Sequence, residues 1–237
     1  MDRIYLINLE RSTDRLEHFK KEMKRCNLPE DKVQIFKAID GNTHVFTDEE
    51  EKMVGKMNVN NRVKACLLSH YYVLKDIEKN GYKTCLVLED DVRFVTDVME
   101  RLDHLINHLD MNWYVCYIGL HTISSGCYFV DFPIESEYET TFCSEKLNDY
   151  VCRYKKDLEP TTLAFLVNGT NVSCMLEEMR KNPTAADHCY INILKRLDAF
   201  YGSLCVLATG NSKLETTIHT KVDIEAMTSS YLSYIGD

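Results

Sequence analysis

Apolar residues along this chain keep two rhythms in alternation. Short runs in which almost every position is apolar are followed by longer stretches with apolar residues three and four apart. Residues 3–9, 33–39, 83–88, 113–120 and 161–167 are runs of the first kind and read as strands. Those at 83–88 and 113–120 have so few polar interruptions that they predict strands buried on both faces. Between them, Leu16, Phe19, Met23 and Cys26 mark one helix face, and 47–56 reads as a short acidic helix. Val63, Cys66, Leu67, Tyr71, Leu74 and Ile77 define a strong helix over 62–79, which Asn80-Gly81 stops. Further helices are expected over 96–109, around Val172, Met175, Leu176 and Met179, and around Tyr190, Ile193, Leu194 and Leu197. Residues 124–160 lose the pattern and suggest a hairpin or excursion, and 203–208 reads as a last strand.

Strands alternating with amphipathic helices predict an α/β fold with a mostly parallel central sheet flanked by helices. One domain over 1–222, followed by a polar tail over 223–237, accounts for the whole pattern. The order resembles nucleotide-binding folds, yet the first strand runs into Asn8-Leu9-Glu10-Arg11, where a glycine-rich phosphate loop would stand. Dehydrogenases and P-loop enzymes are therefore disfavoured, and a bound nucleotide needs another phosphate device.

Leu86-Val87-Leu88-Glu89-Asp90-Asp91 offers one. An apolar strand runs straight into three carboxylates at the sheet edge where open α/β folds place ligands. Three acids near a buried end repel one another unless a counter-charge is supplied, and a divalent cation is the simplest. If the chain stays extended, Glu89 and Asp91 point the same way, about 6.6 Å apart, with Asp90 on the other face. The alternative is a solvated acidic turn, and the residues alone leave both open.

Composition narrows the partners. The net charge of −9, from 28 basic and 37 acidic residues, comes with no basic stripe and argues against nucleic acid. Ten cysteines are scattered with no CxxC pair, which disfavours a structural zinc site of that kind. Without a signal peptide or a transmembrane-length apolar run, they read as reduced thiols in a cytoplasmic protein.

Four segments in order resemble glycosyltransferase family 25, which includes lipooligosaccharide and collagen galactosyltransferases. They are Ile4–Arg11 with Asp14-Arg15, Phe36–Gly41, Cys66-Leu67-Leu68-Ser69-His70, and Leu86–Val92. Weaker echoes fall at Tyr117–Gly119, Thr161–Val167 and Ala186-Asp187, so the likeness covers residues 3–200. It implies a GT-A fold, a UDP-sugar donor (galactose or glucose the expected sugar), Mn²⁺ or Mg²⁺, and transfer with inversion. One departure stands out: the family's Gly-Glu-Ile-Gly-Cys segment is replaced by Arg62-Val63-Lys64-Ala65-Cys66.

The likeness also implies roles. Glu89, Asp90 and Asp91 are the DXD-like acids, with Asp91 the foremost metal ligand, Glu89 beside it, and His219 a further candidate. Asn8, Arg11 and Arg15 flank the first strand's end, where arginine forks suit diphosphate or uridine; an exposed helix position is the alternative for Arg15. Asp40 and Gly41 suit uracil or ribose, or an ordinary turn. Ser69 and His70 match donor-site positions, although a histidine beside a buried stripe is also an ordinary core residue. Asp187 is the candidate base for the acceptor hydroxyl, against a reading as a helix cap.

The leading expectation is a metal-dependent hexosyltransferase acting on a saccharide or hydroxylysine-type acceptor. The absence of a secretory signal favours a microbial or viral glycan pathway over a luminal collagen enzyme. Rival readings are a catalytically inactive nucleotide-binding scaffold, motivated by the changed 62–66 segment, and a sugar-phosphate nucleotidyltransferase.

Overall fold

The structure, a computed structural model, describes residues 1–110, 112–119, 143–158, 160–204 and 207–210. His219, the tail over 223–237 and most of the irregular stretch over 124–160 lie outside the described residues.

The first half alternates as the pattern requires: β1 (Arg3–Asn8), α1 (Thr13–Arg25), β2 (Val33–Lys37), α2 (Asp48–Val54), α3 (Asn61–Asn80) and β3 (Thr84–Glu89). Then follow β4 (Val92–Phe94), α4 (Val98–His108), β5 (Val115–Tyr117), β6 (Cys143–Lys146), β7 (Val151–Tyr154) and β8 (Ala164–Asn168). Helices α5 (Val172–Lys181) and α6 (Ala186–Arg196) and strands β9 (Phe200–Ser203) and β10 (Ala208–Gly210) complete the described chain.

Eight strands form one sheet in the order β2-β1-β3-β8-β5-β9-β7-β6. β2, β1 and β3 pair in parallel, β5 and β9 pair in parallel, and β8 and β7 run against their neighbours. Six strands thus share one direction, the mostly parallel single-domain layout expected from the sequence. Leu86, Val87, Leu88, Val115, Cys116 and Tyr117 are fully buried, as their unbroken apolar runs require. Each such aliphatic side chain contributes about 1.5–3 kcal/mol of burial. β6 and β7 form the hairpin expected somewhere in 124–160.

Helix α3 begins one residue before its expected start and ends one residue after its expected end. Asn60 caps its N-terminus by accepting from the Val63 N–H at 3.1 Å, and Gly81 ends it with φ of 66°. Tertiary packing sets α3 against α5, α6 and β1.

Two expectations need correction. The last strand is not 203–208; β9 ends at Ser203, and β10 joins β4 in a separate two-stranded sheet. Nor does the chain stay extended through the acids. β3 ends at Glu89, Asp90 and Asp91 form a turn, and β4 starts a new sheet at Val92. A two-residue side-chain period does not survive a turn, so the expected opposition of Asp90 to its neighbours is lost.

Candidate active site

The parallel register fixes what meets at the sheet edge. Asn8 lies beside Lys37, and Ile7 beside Glu89, so the chain ends of β1, β2 and β3 are level. One step beyond that register, Asn8 Nδ2 donates to Asp90 Oδ2 at 2.7 Å and to the Ser12 carbonyl at 3.2 Å. Asn8 is itself buried and so anchors the acidic turn to the start of α1.

Arg15 sits on the buried face of α1, not on an exposed one. Its Nη1 donates to Asp90 Oδ1 at 2.5 Å and lies 3.4 Å from Asp91 Oδ2. A guanidinium in that position neutralises part of the acidic turn. The other oxygen, Asp91 Oδ1, is buried with no hydrogen-bond partner. Burial, with the charge of Glu89 behind it, pushes the Asp91 carboxyl up to about 7, against the opposing pull of Arg15. Glu89 goes the other way. Burial would raise it, but His70 and the Thr162 hydroxyl hold it below its ordinary value. Thr162 Oγ1 donates to Glu89 Oε1 at 2.5 Å, a contact delivered by the approach of β8 to β3.

All three acids line one open cleft together with Arg11, Arg15, Asp40, Gly41, Arg62, Cys66, Ser69 and His70. At the rim, Arg11 Nε pairs with Asp40 Oδ2 at 2.6 Å, and this contact lowers the Asp40 carboxyl. Gly41 lies against the first turn of α3, where a Cβ would come within 2.4 Å of the Asn61 carbonyl oxygen. That crowding accounts for glycine there through helix packing. Arg62 also lines the cleft and donates from Nε to Asn42 Oδ1 at 2.9 Å.

Ser69 and His70 divide sharply. The Ser69 hydroxyl donates to the Ala65 carbonyl at 2.8 Å and accepts the Ile39 N–H at 2.9 Å, tying the end of β2 to α3. His70 is 1% exposed, its ring stacked on Phe165 and edge-on to Tyr190, with neither nitrogen hydrogen-bonded. Its Nε2 lies 3.5 Å from Glu89 Oε1, beyond good hydrogen-bond length.

Asp187 occupies the first turn of α6 and accepts its neighbour His188's N–H at 2.8 Å, while Ala185 holds the cap position. Its charge helps raise the thiol of Cys66 and the phenol of Tyr117, although burial is the main cause in both. Asp187 is not among the residues that line the cleft around the three acids. Thr162 and Arg62 were not singled out from sequence; Thr162 lies in the weak echo at 161–167, and Arg62 in the departure from the family pattern.

A largely unidirectional sheet with acids and arginines converging at its carboxyl edge defines an α/β enzyme-like ligand cleft. The family model described as glycosyltransferase family 25 (LPS biosynthesis protein) matches residues 1–190, and the chain belongs to that family. Procollagen galactosyltransferase 2 of Homo sapiens is 28% identical over 132 residues, covering 50% of this chain and 20% of that protein. The inactive glycosyltransferase 25 family member 3 of Homo sapiens is 24% identical over 132 residues, 50% of this chain and 22% of that protein. The chain thus spans only about a fifth of the length of these curated relatives. Among solved structures, a galactosyltransferase LgtC complex with donor and acceptor sugar analogues is similar at 10% identity with a TM-score of 0.47, covering 97% of this chain and 95% of that one. Among the described residues, no helix is long and apolar enough to cross a membrane.

Proposed function

We propose that the chain is a metal-dependent hexosyltransferase that moves a sugar, galactose or glucose, from a UDP-sugar to a hydroxyl-bearing acceptor. The observation that carries the proposal is Asp91. A buried carboxylate oxygen without a donor, in a cleft holding three acids, is a poor resting state and a good hard ligand. The residues fit Mn²⁺ or Mg²⁺: Asp91 and Glu89 would hold the ion, with His219 as a further proposed ligand. When bound, the ion supplies positive charge to the diphosphate as it departs.

The rest of the work falls to the chain itself. Asn8 and Arg15 fix the acidic turn, leaving Asp91 Oδ1 without a hydrogen bond. Arg11 and Arg62, at the rim, are positioned to take phosphate or uracil oxygens by their fork geometry. Asp40 offers an acceptor to ribose or uracil, with its charge held by Arg11. Asp187 takes the proton from the acceptor hydroxyl as that oxygen attacks the anomeric carbon from the face opposite UDP, giving inversion.

A second reading is an inactive nucleotide-binding member of the family, favoured by the replaced 62–66 segment. A thermal-shift panel of UDP-sugars with and without Mn²⁺, followed by turnover assays, separates the two. The hexosyltransferase reading expects a Mn²⁺-dependent shift that singles out one donor, and sugar transfer or slow donor hydrolysis. Binding without any turnover across donors and acceptors supports the inactive reading; no binding of any UDP-sugar defeats both.

A further inference from the structure

We infer that Cys66, His70 and Glu89 form a second cation site, built for a thiophilic divalent ion such as Zn²⁺. Cys66 and His70 are four residues apart on α3, so their side chains lie one turn apart on the same face. β3 ends at Glu89 directly beneath that face. One ligand atom from each, a sulfur, an imidazole nitrogen and a carboxylate oxygen, all lie within 4.8 Å of one another. This mixed donor set suits zinc and its analogues far better than Mn²⁺ or Mg²⁺.

His70 is the independent pointer. Its ring is nine-tenths buried and more, lines the cleft, and has no hydrogen bond at either nitrogen. Its polar approach to Glu89 stops short of a good hydrogen bond, which a buried histidine kept only for packing would ordinarily make. The Nε2–Oε1 separation of 3.5 Å is long for a hydrogen bond. It is close to the ~3.4 Å that two ligands about 2.1 Å from one tetrahedral ion must keep. Phe165 and Tyr190 clamp the ring, and Thr162 donates to the Glu89 carboxylate. Outer contacts of that kind orient ligands in zinc centres. Loading requires the Cys66 sulfur to draw closer to the other two ligand atoms and release its proton to solvent as the sulfur–metal bond forms. Water would complete a tetrahedral shell.

Because Glu89 serves both places, zinc here would exclude the nucleotide-bound Mn²⁺. That consequence, unlike the site itself, rests on the donor-site reading above.

The test is a Co²⁺ titration of the reduced, metal-free full chain. The expected result is a near-ultraviolet thiolate-to-cobalt band with tetrahedral visible bands, both removed by Zn²⁺. Cys66→Ser should lose the near-ultraviolet band, and Cys174→Ser should keep it. Asp91→Ala should also keep it, so failure of the UDP reading would be seen separately. Should Cys66→Ser fold poorly, wild-type alkylation mapped by mass spectrometry supplies the answer: Zn²⁺ should protect Cys66 and not Cys174. Absence of the band in the wild type, its survival in folded Cys66→Ser, or unprotected Cys66 would each overturn the site.

Discussion

Arg15 reaches one oxygen of Asp91 at 3.4 Å and leaves the other, Oδ1, buried without a donor. The same Nη1 donates to Asp90 Oδ1. The acidic turn is therefore half neutralised, with Asp90 committed to structure and Asp91 left available for a ligand.

The first prediction concerns that division. Arg15→Ala strands Asp90 and Asp91 as buried charges, and breaking such a pair costs about 3–5 kcal/mol. Urea unfolding at pH 8 measures it. The loss should shrink as pH falls, because protonated carboxyls no longer need the guanidinium.

The pH response of Asp91 follows from its raised carboxyl. With a midpoint near 7 in the folded chain, against 3.8 ordinarily, the native state binds more protons than the unfolded chain between those values. The contribution of Asp91 to stability is therefore present at low pH and lost as pH rises through about 7. A cation that needs the carboxylate must displace that proton. Mn²⁺ affinity should fall below pH 7 by up to about tenfold per unit, the limit for one released proton. Calorimetric titration at several pH values checks this, and a flat affinity from pH 5.5 to 8 would contradict it.

Glu89 should control that midpoint. Burial is the main cause of the Asp91 shift and the Glu89 charge the second. In Glu89→Gln the Asp91 midpoint should drop below 7 yet stay above the usual carboxylate range. Carboxyl carbon NMR of aspartate-labelled protein follows it directly.

Ser69 should act through the fold. Ser69→Ala leaves the Ile39 N–H without its acceptor, a loss of about 1–3 kcal/mol if water cannot replace it. UDP affinity of the folded variant should stay near that of the wild type. A large loss of affinity at unchanged stability would instead make the hydroxyl a direct donor contact.

These residues also show what the sequence made readable. The strand leading to Glu89 was visible because burial on both faces forces an unbroken apolar run. The α3 stripe was visible because a helix repeats every 3.6 residues. The turn at residues 90–91 was legible only as one of two alternatives, since Asp suits a turn as well as an extended end and the new partner strand, β10, lies over a hundred residues away. Arg15 was ambiguous for a related reason. A charged residue on a helix reads as exposed until its buried counter-charges, 75 residues further on, are brought beside it. The reversed direction of β8 likewise depends on long-range pairing that no local pattern records.

Binding of UDP to Asp91→Ala, titrated calorimetrically with and without Mn²⁺ beside the wild type, tests the account most directly. Far-UV circular dichroism and a melting curve on the same sample establish the fold. The account predicts metal-stimulated UDP binding in the wild type and its loss in a variant that remains folded. Unchanged metal-stimulated binding in that variant would contradict it and move the site away from the acidic turn.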